Sequence, residues 1–313
     1  MQLLDKRSAG CAVLLGALMM SAGCMGAHYV RADRDPRLAV PQVRGVTEHV
    51  VVVSIDGLRP DAIAQFEAPT LRRLMREGSY TLNASTILPS KTLPSHTSML
   101  TGQSPDVHGV LWNKSMSLNR TKSKAPTVFE LLRAEGYVTA AFFSKAKFST
   151  LQKRGTLDYS QAPGGWFGYW PSQRTIHDVE QYLVSQKPNL LFVHLGDPDH
   201  VGHHYGWMSA KYGQSVSQLD GELERLVKIA EGAFGVGNFT LIVTADHGGH
   251  DRDHGSSDPR DVTIPWIAWG RGVENGMLSR PVRTIDTAAT ILWLLKVTKP
   301  AGWTSEPVAE AFR

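Results

Sequence analysis

Val50-Val51-Val52-Val53-Ser54-Ile55-Asp56-Gly57 is the stretch that decides the fold. Four valines and an isoleucine make a nearly continuous β-branched run, the pattern of a strand covered on both faces in a parallel sheet. The run ends on a carboxylate and a glycine. That ending recurs: residues 190–195 lead through Gly196-Asp197-Pro198 to Asp199-His200, and residues 239–244 lead through Ala245 to Asp246-His247-Gly248-Gly249. One strand-end Asp is ordinarily a helix cap or a turn residue. Three of them beside clustered histidines argue differently, because a buried unpaired carboxylate costs several kcal/mol unless a cation meets it.

Outward from this stretch, further strands are expected at 84–88, 138–143 and 264–269. Helices are expected from Pro69 to a stop at Gly78, and at 95–100, 127–134, 175–185, 216–231 and 285–295. Alternation of this kind predicts an α/β fold with three α/β/α layers and a mostly parallel central sheet. Ligands then gather at the carboxyl ends of the strands.

The 313 residues suffice for one large α/β domain, and 42% hydrophobic with 20% charged residues marks that domain as globular. Lys6 and Arg7, an apolar stretch from Ala12 to Met20, and Ser21-Ala22-Gly23-Cys24 read as an export signal over 1–23, too short in its apolar part to span a membrane. Small residues before a cysteine resemble a bacterial lipoprotein signal, in which Cys24 is lipidated. The expected location is then periplasmic or cell-surface, held to a membrane by the lipid; a cleaved secretory signal is the alternative. Residues 24–46 read as a polar tether and 47–313 as a single catalytic domain. Both cysteines, Cys11 and Cys24, precede that domain, so any metal in it is held by His and carboxylate. Removing 1–23 lowers the formal charge from +4 to +3, too mild to indicate a nucleic-acid partner.

Asp199 and His203 stand four apart, which on a helical turn puts both on one face for one ion. Asp246 and His247 are adjacent and suit either one ion or two. The loop His250-Asp251-Arg252-Asp253-His254 is rich in ligating groups, though its composition also fits a solvated turn. Imidazole and carboxylate without sulfur suit zinc, manganese or iron. Pro89-Ser90-Lys91-Thr92-Leu93-Pro94-Ser95-His96 leaves a strand and enters a helix, where positive potential favours an alkoxide and a phosphate. Read locally, Thr92 or Ser95 is an ordinary helix cap.

Taken together, these motifs resemble the alkaline phosphatase superfamily, in its nucleotide pyrophosphatase/phosphodiesterase branch, from Val50 to the end of the chain. The residues that carry the resemblance are Asp56-Gly57, Lys91-Thr92 with Pro94 and His96, Thr101-Gly102 with Pro105 and His108-Gly109, and the Asp199/His203 pair. The resemblance implies two divalent ions, zinc foremost. Asp56, Thr92, Asp246 and His247 would hold one; Asp199, His203 and His254 would hold the other. It implies Thr92 as the nucleophile that becomes phosphorylated and Asn113 as the group binding a phosphoryl oxygen. The expected substrate is a small phosphoric diester, pyrophosphate or nucleotide. Leu93 stands where nucleotide-cleaving relatives carry an aromatic residue, so base stacking is expected instead from Trp166, Phe167, Tyr169 and Trp170. Thr92 argues against a sulfatase. A phosphomonoesterase and a phosphonoacetate-type hydrolase share the fold and stay open, although no cationic groups for a dianionic phosphate are evident in the sequence. The reading from another class is a non-catalytic metal-binding surface lipoprotein, against which Thr92 and Asn113 speak.

Overall fold

The computed structural model describes residues 28–31, 45–114, 123–152, 155–165 and 168–313. Its strands are β1 His28–Arg31, β2 His49–Ile55, β3 Ser79–Ser85, β4 Thr139–Phe143, β5 Tyr159–Ala162, β6 Leu190–Leu195, β7 Phe239–Thr244, β8 Thr263–Gly270 and β9 Gly276–Met277. They form one sheet in the order β1-β5-β4-β6-β2-β7-β8-β3-β9. The run β5-β4-β6-β2-β7 is parallel throughout. β2 lies at its heart, with Val50–Val53 and Ile55 fully buried between β6 and β7.

Helices cover the sheet in two sets, giving the three layers expected. The Ala210–Phe234 helix packs with Pro69–Glu77, Ser172–Leu183 and Asp197–Tyr205, and the Asp286–Leu294 helix packs with Thr92–Thr101 and Val128–Ala134. Ser209 caps the long helix, whose buried positions Tyr212, Val216, Leu219, Leu223, Leu226, Val227, Ala230 and Phe234 follow the helical period. Thr127 and Glu130 form a capping box. Among the described residues no helix is long and apolar enough to cross a membrane.

Two expectations are corrected, the position of the third strand and the character of the tether. The strand expected at 84–88 lies earlier, at Ser79–Ser85, where alternating burial hides it from a search for continuous apolar runs. Consistent with a mostly parallel sheet, β8 alone of the long central strands runs antiparallel to its neighbours β7 and β3, since residues 245–262 form a loop closed by the one-turn Pro259–Val262 helix and no crossover helix. Within the expected tether, His28–Arg31 pairs antiparallel with β5 and covers what would otherwise be a sheet edge. The export signal and Cys24 lie outside the described residues.

Candidate active site

The sheet order places the three acid-bearing strands side by side. β6, β2 and β7 are consecutive neighbours, so Asp199, Asp56 and Asp246 emerge together at the carboxyl edge. Each carboxylate is buried and each divides its oxygens in the same way. Asp56 Oδ2 accepts from Lys145 Nζ at 2.6 Å and from His194 Nε2 at 2.9 Å, while its Oδ1 has no partner. Asp199 Oδ2 accepts from Lys145 Nζ at 2.5 Å, and its Oδ1 has none. Asp246 Oδ1 accepts from the amides of Gly57 at 3.1 Å and His247 at 3.0 Å, and its Oδ2 has none.

The histidines are divided to match. His247 Nδ1 donates to Gly248 O at 2.8 Å, His254 Nδ1 to Ser90 O at 2.8 Å and His203 Nδ1 to Arg252 O at 3.0 Å. A carbonyl only accepts, so in the neutral ring each proton sits on Nδ1 and each Nε2 presents a lone pair, the form a metal binds. Those lone pairs face the bare oxygens. His247 Nε2 lies 3.3 Å from both Asp56 Oδ1 and Asp246 Oδ2, while His203 and His254 Nε2 each lie 3.4 Å from Asp199 Oδ1. Two clusters suited to a metal result, Asp56/Asp246/His247 and Asp199/His247/His254, sharing His247. Unpartnered buried oxygens and aimed imidazoles fit divalent ions, since among the described residues no hydrogen-bond partner satisfies those oxygens.

The electrostatics follow from this crowding. Burial opposes charging His247, but Asp246 and Asp56 outweigh it and raise its pKa to about 9. Burial, reinforced by the facing His247, lowers His254 to about 4. Burial likewise lowers His194 to about 4, so the ring stays neutral; it donates to Asp56 through Nε2 and accepts from Ser144 through Nδ1 at 2.9 Å.

Thr92 is the first residue of the Thr92–Thr101 helix, fully buried, with Oγ1 3.4 Å from His247 Nε2. The local cap reading is corrected here. Lys91 is the N-cap and makes no side-chain cap bond, while Ser95 Oγ turns to Asp246 O at 2.7 Å. Asn113 Oδ1 accepts from the Leu93 amide at 3.0 Å, which places Asn113 beside the proposed nucleophile. Leu93 itself is buried, its side chain packed in the hydrophobic core. Tyr169 is half-buried and stacks on His200 at 4.5 Å and 7°, and Trp170 holds the Arg174 guanidinium 5.1 Å from its ring. Trp166 and Phe167 lie outside the described residues.

Sequence reasoning did not single out Lys145, Lys147, His194 or Asp261. For the lysines a signal existed. Ser144-Lys145 follows the apolar run of β4, and a cation at a strand's carboxyl end is informative for the same reason as an acid there. Asp261 is buried and accepts from His250 Nδ1 at 2.7 Å, and from Ser256 N at 3.0 Å and Oγ at 2.7 Å, thereby tying down the loop that carries His254.

The sheet and its flanking helices form an alkaline phosphatase-like fold. Alkaline phosphatase PafA superposes with a TM-score of 0.65 at 13% identity over 88% of this chain and 100% of that one. An inactive variant of murine ectonucleotide pyrophosphatase/phosphodiesterase 5 in complex with AMP gives 0.67 at 17% identity, over 81% of this chain and 96% of that one. Residues 50–258 match the type I phosphodiesterase/nucleotide pyrophosphatase family, and the chain belongs to it. GPI ethanolamine phosphate transferase 1 of Candida glabrata is 28% identical over 268 residues, covering 74% of this chain and 27% of that protein. Human ectonucleotide pyrophosphatase/phosphodiesterase family member 1 is 27% identical over 218 residues, covering 64% and 24%. The chain thus spans about a quarter of the length of these two curated relatives.

Proposed function

We propose that the chain is a metal-dependent hydrolase of phosphoric diesters and pyrophosphates that works through a covalent phosphate on Thr92. One observation carries the reading: three carboxylates with one unpartnered oxygen each, three histidines whose Nδ1 is spent on a carbonyl while Nε2 faces those oxygens, and the Thr92 hydroxyl all converge at one sheet edge. Asp56, Thr92, Asp246 and His247 would hold one divalent ion, and Asp199, His203 and His254 a second, zinc being the best match to these donors. Bound there, such ions lower the pKa of a hydroxyl and offset charge on phosphoryl oxygens.

The protein's own groups do the rest. Thr92 gives its hydroxyl proton to water, and Oγ bonds to phosphorus as the bond from phosphorus to the leaving oxygen breaks; that oxygen takes a proton from water. A second water then cleaves the phosphothreonine. The amino end of the Thr92–Thr101 helix favours the negative charge gathered at Thr92. Asn113 Oδ1 is already engaged by two donors, the Leu93 amide and Lys147 Nζ, so Nδ2 is the face left to donate to a phosphoryl oxygen. A nucleotide or other small diester is the corresponding substrate, in keeping with the name of the human relative and the AMP held by the murine structure. A pure metal-binding protein has no use for Thr92 or Asn113 in these positions.

The test is hydrolysis of the p-nitrophenyl ester of a nucleoside monophosphate by the purified chain. Chelation should abolish turnover and added zinc restore it; turnover indifferent to chelator would overturn the reading. The export signal and lipid anchor at Cys24 belong to the same proposal. Cys24→Ser should release the protein from the membrane fraction, and retention there would contradict lipidation.

A further inference from the structure

The Asp197–Tyr205 helix carries two histidines that the candidate active site does not use. Asp199 and His203 meet within that site, His203 Nε2 lying 3.4 Å from Asp199 Oδ1. His200 and His204 are the residues that follow them, so they too stand four apart, and both are exposed. Residues four apart on a helix share a face, and two histidines at that spacing can grip one ion. The His200 and His204 ring centroids are 4.6 Å apart at 39°. For His203 and His254, whose Nε2 atoms converge on Asp199 Oδ1, the values are 5.0 Å and 50°. The exposed pair is therefore spaced as the pair inside the site is.

Both rings are held, and both have nitrogen to offer. His204 Nδ1 donates to His200 O at 2.8 Å. A carbonyl only accepts, so the neutral ring keeps its proton on Nδ1 and presents a lone pair on Nε2. His203, His247 and His254 are divided in the same way. His200 lies flat on Tyr169, and among the described residues neither of its ring nitrogens has a hydrogen-bond partner. The Tyr169 segment is itself anchored, since Trp170 N donates to Ser144 O at 2.8 Å and Ala146 N to Gly168 O at 2.9 Å. Rings already held in place lose less freedom when they bind.

The donors narrow the ligand. Asp197, one turn before His200, has Oδ2 occupied by the amide and hydroxyl of Ser172. Two neutral imidazoles without carboxylate or sulfur suit nickel, copper(II) and zinc, and do not suit magnesium or calcium. We propose that His200 and His204 form a further metal site, outside the candidate active site, that takes one divalent ion of this nitrogen-seeking group. Each imidazole donates one lone pair, the ion gives up two waters, and water fills its remaining positions. The bound ion clasps the same turn of helix that presents Asp199 and His203, and so resists its unfolding.

The full chain, purified without a histidine tag, would be dialysed to equilibrium against nickel chloride and its bound nickel counted by atomic emission. Wild type should hold one nickel per chain more than His204→Ala and one more than His200→Ala, whatever number the site at the sheet edge takes. His177→Ala removes an exposed histidine from the Ser172–Leu183 helix and should keep the wild-type count. In chelator, wild type and His204→Ala should unfold at the same urea concentration, because an exposed helix position accepts alanine. With nickel present the wild-type midpoint should rise above that of His204→Ala, since an ion bound only to the folded chain stabilises it. Equal nickel counts in wild type and His204→Ala would overturn the site, as would a nickel lost equally from His177→Ala. Magnesium bound in excess by wild type over His204→Ala would overturn the nitrogen-only donor set. Zinc-loaded His204→Ala should hydrolyse the p-nitrophenyl ester at the wild-type rate; abolished turnover would place the pair in the active site and overturn its independence.

Discussion

Asp261→Ala separates a structural acid from the site it serves. Asp261 lies outside both metal clusters, yet its carboxylate accepts from His250 Nδ1 at 2.7 Å and from Ser256 N and Oγ at 3.0 and 2.7 Å, pinning the loop between them. His254 sits in that loop, with Nε2 3.4 Å from Asp199 Oδ1. Burial alone would raise the Asp261 pKa, but Ser256 and His250 outweigh it and hold the group ionised. Three bonds to a charged acceptor are worth about 1.5–3 kcal/mol each when kept. Ser256 is exposed and His250 half-buried, so their freed donors regain water, and the net cost should be about 2–4 kcal/mol rather than the full sum. A loosened His254 should weaken zinc binding roughly 10–100-fold, the usual effect of losing a support behind a ligand. Urea unfolding of the metal-free protein reads the first quantity, and titration against a zinc chelator reads the second. Asp261→Asn, which keeps one acceptor oxygen, should fall between. Zinc affinity equal to wild type in a destabilised Asp261→Ala protein would refute the claim that this acid positions His254.

A Cβ added at Gly249 would stand 2.3 Å from Trp207 Cε2, and that indole donates to Gly57 O at 2.9 Å beside Asp56. Gly249→Ala should therefore cost about 1–3 kcal/mol, read as a lower urea midpoint; an unchanged midpoint would contradict the close packing. Asn113→Ala should lower kcat by about two to three orders of magnitude, as loss of one donor to a developing oxyanion does, and a wild-type rate would remove its role. Burial of His108 lowers its pKa from 6.5 to about 4, so on acidification the unfolded chain takes up this proton first. Stability should thus fall as pH drops from 6.5 towards 4, and His108→Gln should flatten part of that slope in urea titrations at stepped pH; an identical slope would clear His108 of the effect.

What the sequence revealed and what it hid divide along physical lines. β2, β6 and β7 were legible because a strand buried on both faces must be apolar throughout, and the limits expected for β6 and β7 are those observed. β3 was misplaced because it has one exposed side and alternates, and β1 because four residues are too few to show a period. All the aspartates and histidines of the two clusters were legible, since three strand-end acids beside clustered histidines have few structural uses together. The division of each side chain into a bound and a bare atom was not, because it depends on carbonyls and amides brought in by distant loops, such as Ser90 O beneath His254. The place of Lys145 after β4 marks it only as a strand-end cation, and the order β4-β6-β2 is what shows that it lands between two acids.

The central claim is that Thr92 carries the phosphoryl group during turnover. Zinc-loaded protein should be mixed with the nucleoside p-nitrophenyl ester, quenched in acid during steady state, and the peptide containing Thr92 read by mass spectrometry. The account predicts a phosphate on Thr92 that disappears once substrate is exhausted, and none in Thr92→Ala, which should also be inactive. Sustained turnover by Thr92→Ala, or phosphate trapped on a different residue, would contradict it.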